Sequence, residues 1–312
     1  MIKSAVSLKA ILDASMVEYR KLISEGIDAE WRENGLLFVL RTKKGMEDFA
    51  QTDALLSKFF HIHAKRMEGN ELHDFDFALR SDLAGAFFYE DDVQVRPDVL
   101  NRNWIRSLQM QGVEFVSHCA LQSIHRRGSE ILTLQTTRGE MRAQRYVFAM
   151  GAWSKQLGKG LRFSIPVQPG KGYSVTMQSP FPCPKHPLLF PEHRVGVTPF
   201  ETGYRLGSMM EFAGYDECIP PHRIEQLRRS AEFYLVNPHT ENVSEKWFGW
   251  RPMTWDSLPI IGVVPKLKNA FLATGHNMLG LSMAPSTGRL IKELICGDAT
   301  HIECEAFRAD RF

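Results

Sequence analysis

Apolar residues recur at helical spacing near the start of the chain, at Leu8, Ile11, Leu12, Met16, Tyr19 and Ile23, and the pattern stops at Gly26. An amphipathic helix over residues 9–23 follows. Residues 30–32 and 36–40 flank Asn34-Gly35, a dipeptide that accepts the positive φ angles of a tight turn, so a β-hairpin is expected there. A second helix is expected over residues 46–61. His61 and His63, two apart, face different sides of it and read as surface residues rather than joint metal ligands. Pro97 opens a third helix with Val99, Leu100, Trp104, Ile105 and Leu108 along one side and Gly112 beyond its end.

The period then changes. Runs at 113–116, 121–125, 131–137 and 141–150, with turns at Arg127-Gly128 and Arg138-Gly139, predict a meander leading into a buried strand, 146–150. That strand ends in Gly151-Ala152-Trp153-Ser154, a common strand-to-helix connection. Residues 167–177, 195–200 and 204–211, the last two flanking Thr202-Gly203, predict antiparallel sheet. A helix over 223–236 carries Ile224, Leu227, Ala231, Tyr234 and Leu235 on one face and ends before Pro238. Last comes an apolar strand at 270–274, then a loop bracketed by Gly275 and Gly280. The helix after it takes Ser282 as N-cap, Pro285 in the first turn, an apolar stripe of Leu290, Ile291, Leu294 and Ile295, and Gly297 as stop. The class is α/β with a largely antiparallel middle, divided as 1–163, 164–250 and 251–312.

At 312 residues and 44% hydrophobic content, the chain can bury a large core in two domains or one large one. A net charge of +2 with isolated pairs such as Arg126-Arg127 and Arg228-Arg229 gives no basic stripe, which argues against a nucleic-acid partner. The five cysteines are odd in number, widely spaced and form no C-x-x-C, which argues against a disulfide framework and a zinc site. A reduced cytoplasmic setting fits this usage. No apolar run reaches membrane-spanning length, so no transmembrane segment is expected, while peripheral attachment to a membrane stays open.

The chemistry concentrates between Trp247 and Ile295. A helix start beyond a glycine loop offers free N–H groups to negative charge, although the same strand, loop and helix also serve as a plain tight turn. Arg251 stands among Trp247, Trp250 and Trp255 and reads either as a carboxylate clamp shielded by indoles or as a salt bridge to Asp256. Tyr173 and Tyr204 read as pocket hydroxyls or as core tyrosines bonded to backbone, and His276 as a ligand-facing or a packing histidine.

Gly249, Arg251, Pro252, Thr254, Asp256, Pro259, Gly262, Thr274-Gly275-His276, Gly280, Ala284-Pro285 and Gly288 together resemble the flavin-contacting end of the D-amino-acid oxidase and dehydrogenase family. The resemblance implies a Rossmann-like FAD-binding domain in 1–163 and 251–312, with an antiparallel substrate domain inserted between. It also implies flavin contacts at Gly275, His276, Asn277, Leu279, Gly280, Leu281 and Ser282. A second contacting turn would comprise Ala149, Gly151 and Trp153, with the backbone of Leu121 meeting the adenine. Arg251 would bind the substrate carboxylate, with Tyr173 and His276 as further catalytic candidates. Where some sarcosine-oxidase-like relatives attach flavin through cysteine, this chain reads Pro252-Met253-Thr254, so non-covalent FAD is expected. Met278 stands where glycine-oxidase-like relatives carry an additional arginine.

By resemblance alone, the run Pro166-Val167-Gln168-Pro169-Gly170-Lys171-Gly172-Tyr173 and the Arg251-Pro252-Met253-Thr254 wording imply a dehydrogenase, rather than a glycine- or sarcosine-oxidase-like enzyme, that oxidises a D-amino acid, or a cyclic or N-substituted one, to the imino acid by hydride transfer to FAD and passes electrons to a quinone or other acceptor. The family's N-terminal G-x-G-x-x-G, which holds the pyrophosphate, is absent from this sequence. The expectation is therefore an N-terminally truncated dinucleotide fold: a fragment, a mis-started frame, or one half of a split protein whose partner subunit supplies the missing strand.

Overall fold

The computed structural model describes residues 2–312. In chain order the elements are α1 (Ile2–Ser24), β1 (Leu36–Leu40), α2 (Lys43–Phe60), β2 (Lys65–Glu68), α3 (Gly69–Phe75), β3 (Gly85–Tyr89), α4 (Pro97–Met110), β4 (Leu121–Arg127), β5 (Glu130–Thr136), β6 (Gly139–Met141) and β7 (Tyr146–Phe148). A tight 3-10 segment, Gly151–Leu157, leads into α5 (Gly158–Leu161). Then follow β8 (Gln168–Met177), β9 (Leu188–Phe190), β10 (Val195–Phe200), β11 (Gly203–Glu211), α6 (Pro221–Glu232), β12 (Val243–Met253), β13 (Ile260–Val263), β14 (Ala270–Thr274) and α7 (Gly280–Cys296).

Eight strands form one large sheet in the order β12-β8-β11-β10-β9-β1-β3-β2, antiparallel throughout except where β1 meets β9. A second sheet, β13-β14-β7, pairs β14 with β7 in parallel and leaves β7 at an edge. The meander β4-β5-β6 forms the third.

The register joins residues that the expected domain limits separate. β1, β2 and β3 share the large sheet with β8 to β12, so a boundary at 163/164 divides one hydrogen-bonded layer, and a boundary at 250/251 cuts β12. The expected hairpin around Asn34-Gly35 is replaced by longer-range pairing: Leu36 lies opposite Tyr89, and Arg32 bridges to Gln94. Its turn residues are already engaged elsewhere, since the Gly35 N–H donates to Asp92 O at 2.9 Å and Asn34 Nδ2 donates to Lys185 O at 3.2 Å. Residues 113–116 form no strand, because no neighbouring strand takes their backbone groups, and Val113, Phe115 and Val116 stay exposed.

One face of the large sheet buries Leu37, Val39, Tyr173, Val175 and Leu206 against Leu72 of α3 and Leu227 of α6. The small sheet packs Ile261 and Phe271 against Ile11 of α1 and Met283 and Leu290 of α7. Helix α7 begins at Gly280 with Leu279 as N-cap, three residues ahead of the expected Ser282 cap, so Pro285 falls inside it. Proline has no N–H for the carbonyl four residues back. The freed Leu281 oxygen accepts the Tyr19 hydroxyl of α1 at 2.7 Å, so the defect in one helix becomes the bolt between two.

Candidate active site

Alternation along β12 decides which residues meet. Arg251 pairs with Gly170, Gly249 with Gly172, and Trp247 with Ser174, so these six share one face of the sheet. Lys171, Tyr173, Phe248 and Trp250 take the opposite face. The Arg251 guanidinium lies over Gly172, with Nη1 2.0 Å from where a Cβ would stand; glycine is what lets it lie flat on the sheet.

Nη1 donates to Met209 O at 2.8 Å, at the bulge that interrupts β11 between Ser208 and Glu211. No carboxylate of the described residues lies within ion-pair distance of Arg251. Asp256, the alternative partner, is held in a two-pronged bond by Arg311, at 2.8 and 3.2 Å. Burial lowers the Arg251 pKa, which measures the cost of a half-buried cation without a counter-ion. With one of its five N–H donors engaged, it can still accept a planar anion.

The strand carrying Arg251 runs into the glycine loop and is pinned to it. The Asn277 N–H donates to Pro252 O at 3.1 Å, its Oδ1 accepts the Thr254 N–H at 2.9 Å, and its Nδ2 reaches Thr254 Oγ1 at 3.1 Å. Gly275 has φ +72, and a Cβ there would meet Thr254 Cγ2 at 2.7 Å, so glycine is required twice over. Thr274 donates to Gly151 O at 3.0 Å and shares a 2.7 Å hydroxyl contact with Ser154, which ties the Gly151 turn to the same corner. The two turns singled out in the sequence are thus neighbours. Beyond them, beside the unpaired edge of β7, an open groove of about 600 Å³ is lined by Leu121, Val147, Met150 and Trp153. Ala149 is exposed just after β7, and Leu279, Gly280, Leu281 and Ser282 form the start of α7.

Several expected site residues lie elsewhere. Tyr173 points to the core face, away from Arg251, and donates to Glu211 at 2.6 Å. Tyr204 is fully buried and donates to Pro238 O at 3.2 Å. Both are core tyrosines because an odd number of residues separates their faces from Arg251's. His276 is buried against Thr287 of α7, Nε2 to Oγ1 3.0 Å, and burial brings its pKa down to about 4, so it is a neutral packing group. Of the three expected shielding indoles, only Trp247 shares Arg251's face. Trp250 packs edge-on to Trp153 at 5.4 Å, and Trp255 is 78% exposed beside Phe312.

Sequence reasoning gave no role of its own to Lys171, named only within a longer run, and passed over Tyr215. The Lys171 side chain is fully buried, bonded to Asp216 at 2.8 Å and set over the Tyr173 and Phe248 rings. It fastens the loop after β11, from which Tyr215 stacks on Trp153 and donates to Ala152 O at 2.8 Å. A lysine inside an otherwise buried strand was the one available signal.

This architecture is shared with solved structures of other proteins. Glycine oxidase from Geobacillus kaustophilus superposes with a TM-score of 0.88 at 23% identity, covering 98% of this chain and 82% of its own. L-proline dehydrogenase from P. horikoshii gives 0.82 at 19%, covering 97% and 82%. A fold of this class, with mixed α/β layers and a large antiparallel sheet, is what those likenesses establish.

Sequence similarity narrows it. The model of the DAO family, FAD dependent oxidoreductases, matches residues 3–294, and this chain belongs to that family. D-amino acid dehydrogenase of Vibrio vulnificus is 31% identical over 282 residues, 87% of this chain and 66% of the relative. The Neisseria meningitidis protein of the same name is 29% identical over 297 residues, 92% and 69%. The chain thus spans about two thirds of the length of the curated relatives it matches. Among the described residues, no helix is long and apolar enough to cross a membrane.

Proposed function

We propose that this chain provides the substrate clamp and much of the flavin surface of a D-amino-acid dehydrogenase. The observation that carries the proposal is Arg251, a half-buried guanidinium with no carboxylate partner among the described residues, laid over glycine on the strand that runs into the Gly275–Gly280 loop. The family's FAD-dependence and the relatives named D-amino acid dehydrogenase support it.

The residues present suit an extended anionic cofactor. The first amides of α7 have no intrahelical acceptor, Gly151 has nothing within 4 Å of a Cβ position, and the groove along β7 continues from the same corner. Gly151, Trp153, Gly275, Asn277 and Gly280 would hold FAD non-covalently, with Leu121 at the adenine end. When bound, FAD supplies the two-electron acceptor for the hydride leaving the substrate Cα. Arg251 binds the carboxylate in two N–H···O bonds and fixes the direction of the Cα–H. Such fixed orientation lowers a barrier by several kcal/mol without a protein base, provided the amine enters neutral. The final electron acceptor would be a quinone or another small oxidant.

The open β7 edge favours a second component of this reading. We propose that a strand carrying the dinucleotide glycine motif, from the same polypeptide or a complementary subunit, pairs there; Val147, 44% exposed on that edge, is the apolar surface it would cover.

The test is flavin reduction by D-amino acids in the assembled holoenzyme, with and without Arg251→Ala. The expected result is a rise in KM on the order of a hundredfold with flavin content and Tm retained. An unchanged KM would remove the clamp and the dehydrogenase reading with it.

A further inference from the structure

Gly172 of β8 and Gly249 of β12 are direct cross-strand partners, which sets their Cα atoms about 5 Å apart. Two side chains lean into the space these glycines leave, from opposite directions along β12. Arg251 Nη1 lies 2.0 Å from the Cβ position of Gly172, and the Trp247 indole carbon Cη2 lies 2.1 Å from that of Gly249. A cation and an indole four residues apart thereby converge side by side over one glycine pair. Trp247 is 52% exposed, so the ring face turned away from Gly249 is open.

The same surface continues in sulfur. Met210 Sδ and Met253 Cγ lie 2.5 and 2.8 Å from the Cβ position of Gly170, the residue opposite Arg251. Further along this face Arg205 and Glu245, both opposite Thr176, bond each other at 3.5 Å. A carboxylate seated on Arg251 would therefore hold its side chain against an indole and thioethers, with no unpaired charge to greet a charged group.

We propose that Trp247 is a specificity-determining residue, selecting α-amino acids with apolar, above all aromatic, side chains over small or charged ones. This rests on the carboxylate-clamp reading of Arg251 and names the substrate class of that site. An aromatic group stacked on the indole gains about tenfold in affinity over one with no ring to present.

The experiment compares the wild-type holoenzyme with Trp247→Ala, Trp247→Phe and Arg251→Ala. Phenylacetate and acetate dissociation constants are measured by ligand-observed NMR, alongside flavin reduction by D-phenylalanine and D-alanine and a Tm for each variant. Wild type should bind phenylacetate about tenfold tighter than acetate. Trp247→Ala should erase that preference while shifting acetate less than about twofold, Trp247→Phe should keep most of it, and Arg251→Ala should weaken both acids. A preference that survives Trp247→Ala, or equal weakening of both acids by it, overturns the role of Trp247 alone. Acetate binding untouched by Arg251→Ala overturns the clamp itself, whatever Trp247 does.

Discussion

Two buried titrating residues, His276 and Glu293, contribute to this protein's response to acid. His276 is held neutral, with its pKa brought to about 4 by burial against α7. A histidine whose folded pKa lies below its ordinary value contributes stability that is complete above about pH 6.5 and is lost as pH falls toward 4; here that is about 3 kcal/mol. Glu293 follows in a lower window. Burial raises its pKa, but bonds from the His301 ring at 2.7 Å, the His301 amide at 3.0 Å and Arg289 at 2.9 Å outweigh this and bring it to about 2. Its contribution is present above the ordinary carboxylate range and lost as pH falls from there toward 2. Unfolding by urea across pH 3 to 7 should show both slopes, with His276→Gln flattening the upper one and Glu293→Gln the lower. Slopes unchanged in the variants would mean other groups carry the acid response. Ser286 completes a chain of hydrogen bonds with His301 and Glu293, at 2.8 Å to His301, yet it is fully buried inside α7 and no substrate reaches it. The chain ties the C-terminal tail to the helix. Gly172 offers a cleaner probe of the site: Gly172→Ala puts a methyl where Arg251 Nη1 lies, and should weaken carboxylate binding at least tenfold with little change in Tm.

At the level of elements, α1 and α7 are joined through the defect that Pro285 makes. The Leu281 carbonyl, with no N–H four residues on, is satisfied by Tyr19 from the other helix, and the Ser286 N–H reaches Ser15 Oγ at 3.2 Å. Burial pushes the Tyr19 hydroxyl up to about 12, so it stays a donor at any physiological pH. Tyr19→Phe leaves a buried acceptor unbonded and should cost about 1–2 kcal/mol, read as a lower urea midpoint at unchanged slope. A midpoint equal to wild type would show that the carbonyl finds another partner. The bulge in β11 works similarly for the site, since the turn at Met209, with φ +74, presents the carbonyl that receives Arg251.

Over the whole molecule, both main sheets are open-edged. The large sheet spans eight strands from β12 to β2 with helices on its core face, and the small sheet ends, among the described residues, at β13 on one side and on the other at β7, beside the groove. Hydrogen exchange should be fast at the outward-facing amides of β7 and slow in β14, which is paired on both sides. Full protection of β7 in the isolated chain would mean that its edge is already occupied, contrary to the proposal of a pairing strand.

Much of this was legible in the chain. The antiparallel run of β8, β10 and β11, the β14 strand and the glycine stop of α7 follow from alternation, helical period and backbone freedom, all local properties that a sequence encodes directly. Arg251 could be singled out as well, by residue type and by the family resemblance of the words around it. The partners were not legible. That β1 leaves its neighbour to pair with β3 and β9, that Tyr173 turns from the site into the core, that His276 is a packing group, and that Trp247 and Arg251 meet over two glycines depend on strand register. Register is fixed by contacts between residues far apart in the chain, and a shift of one residue exchanges every face.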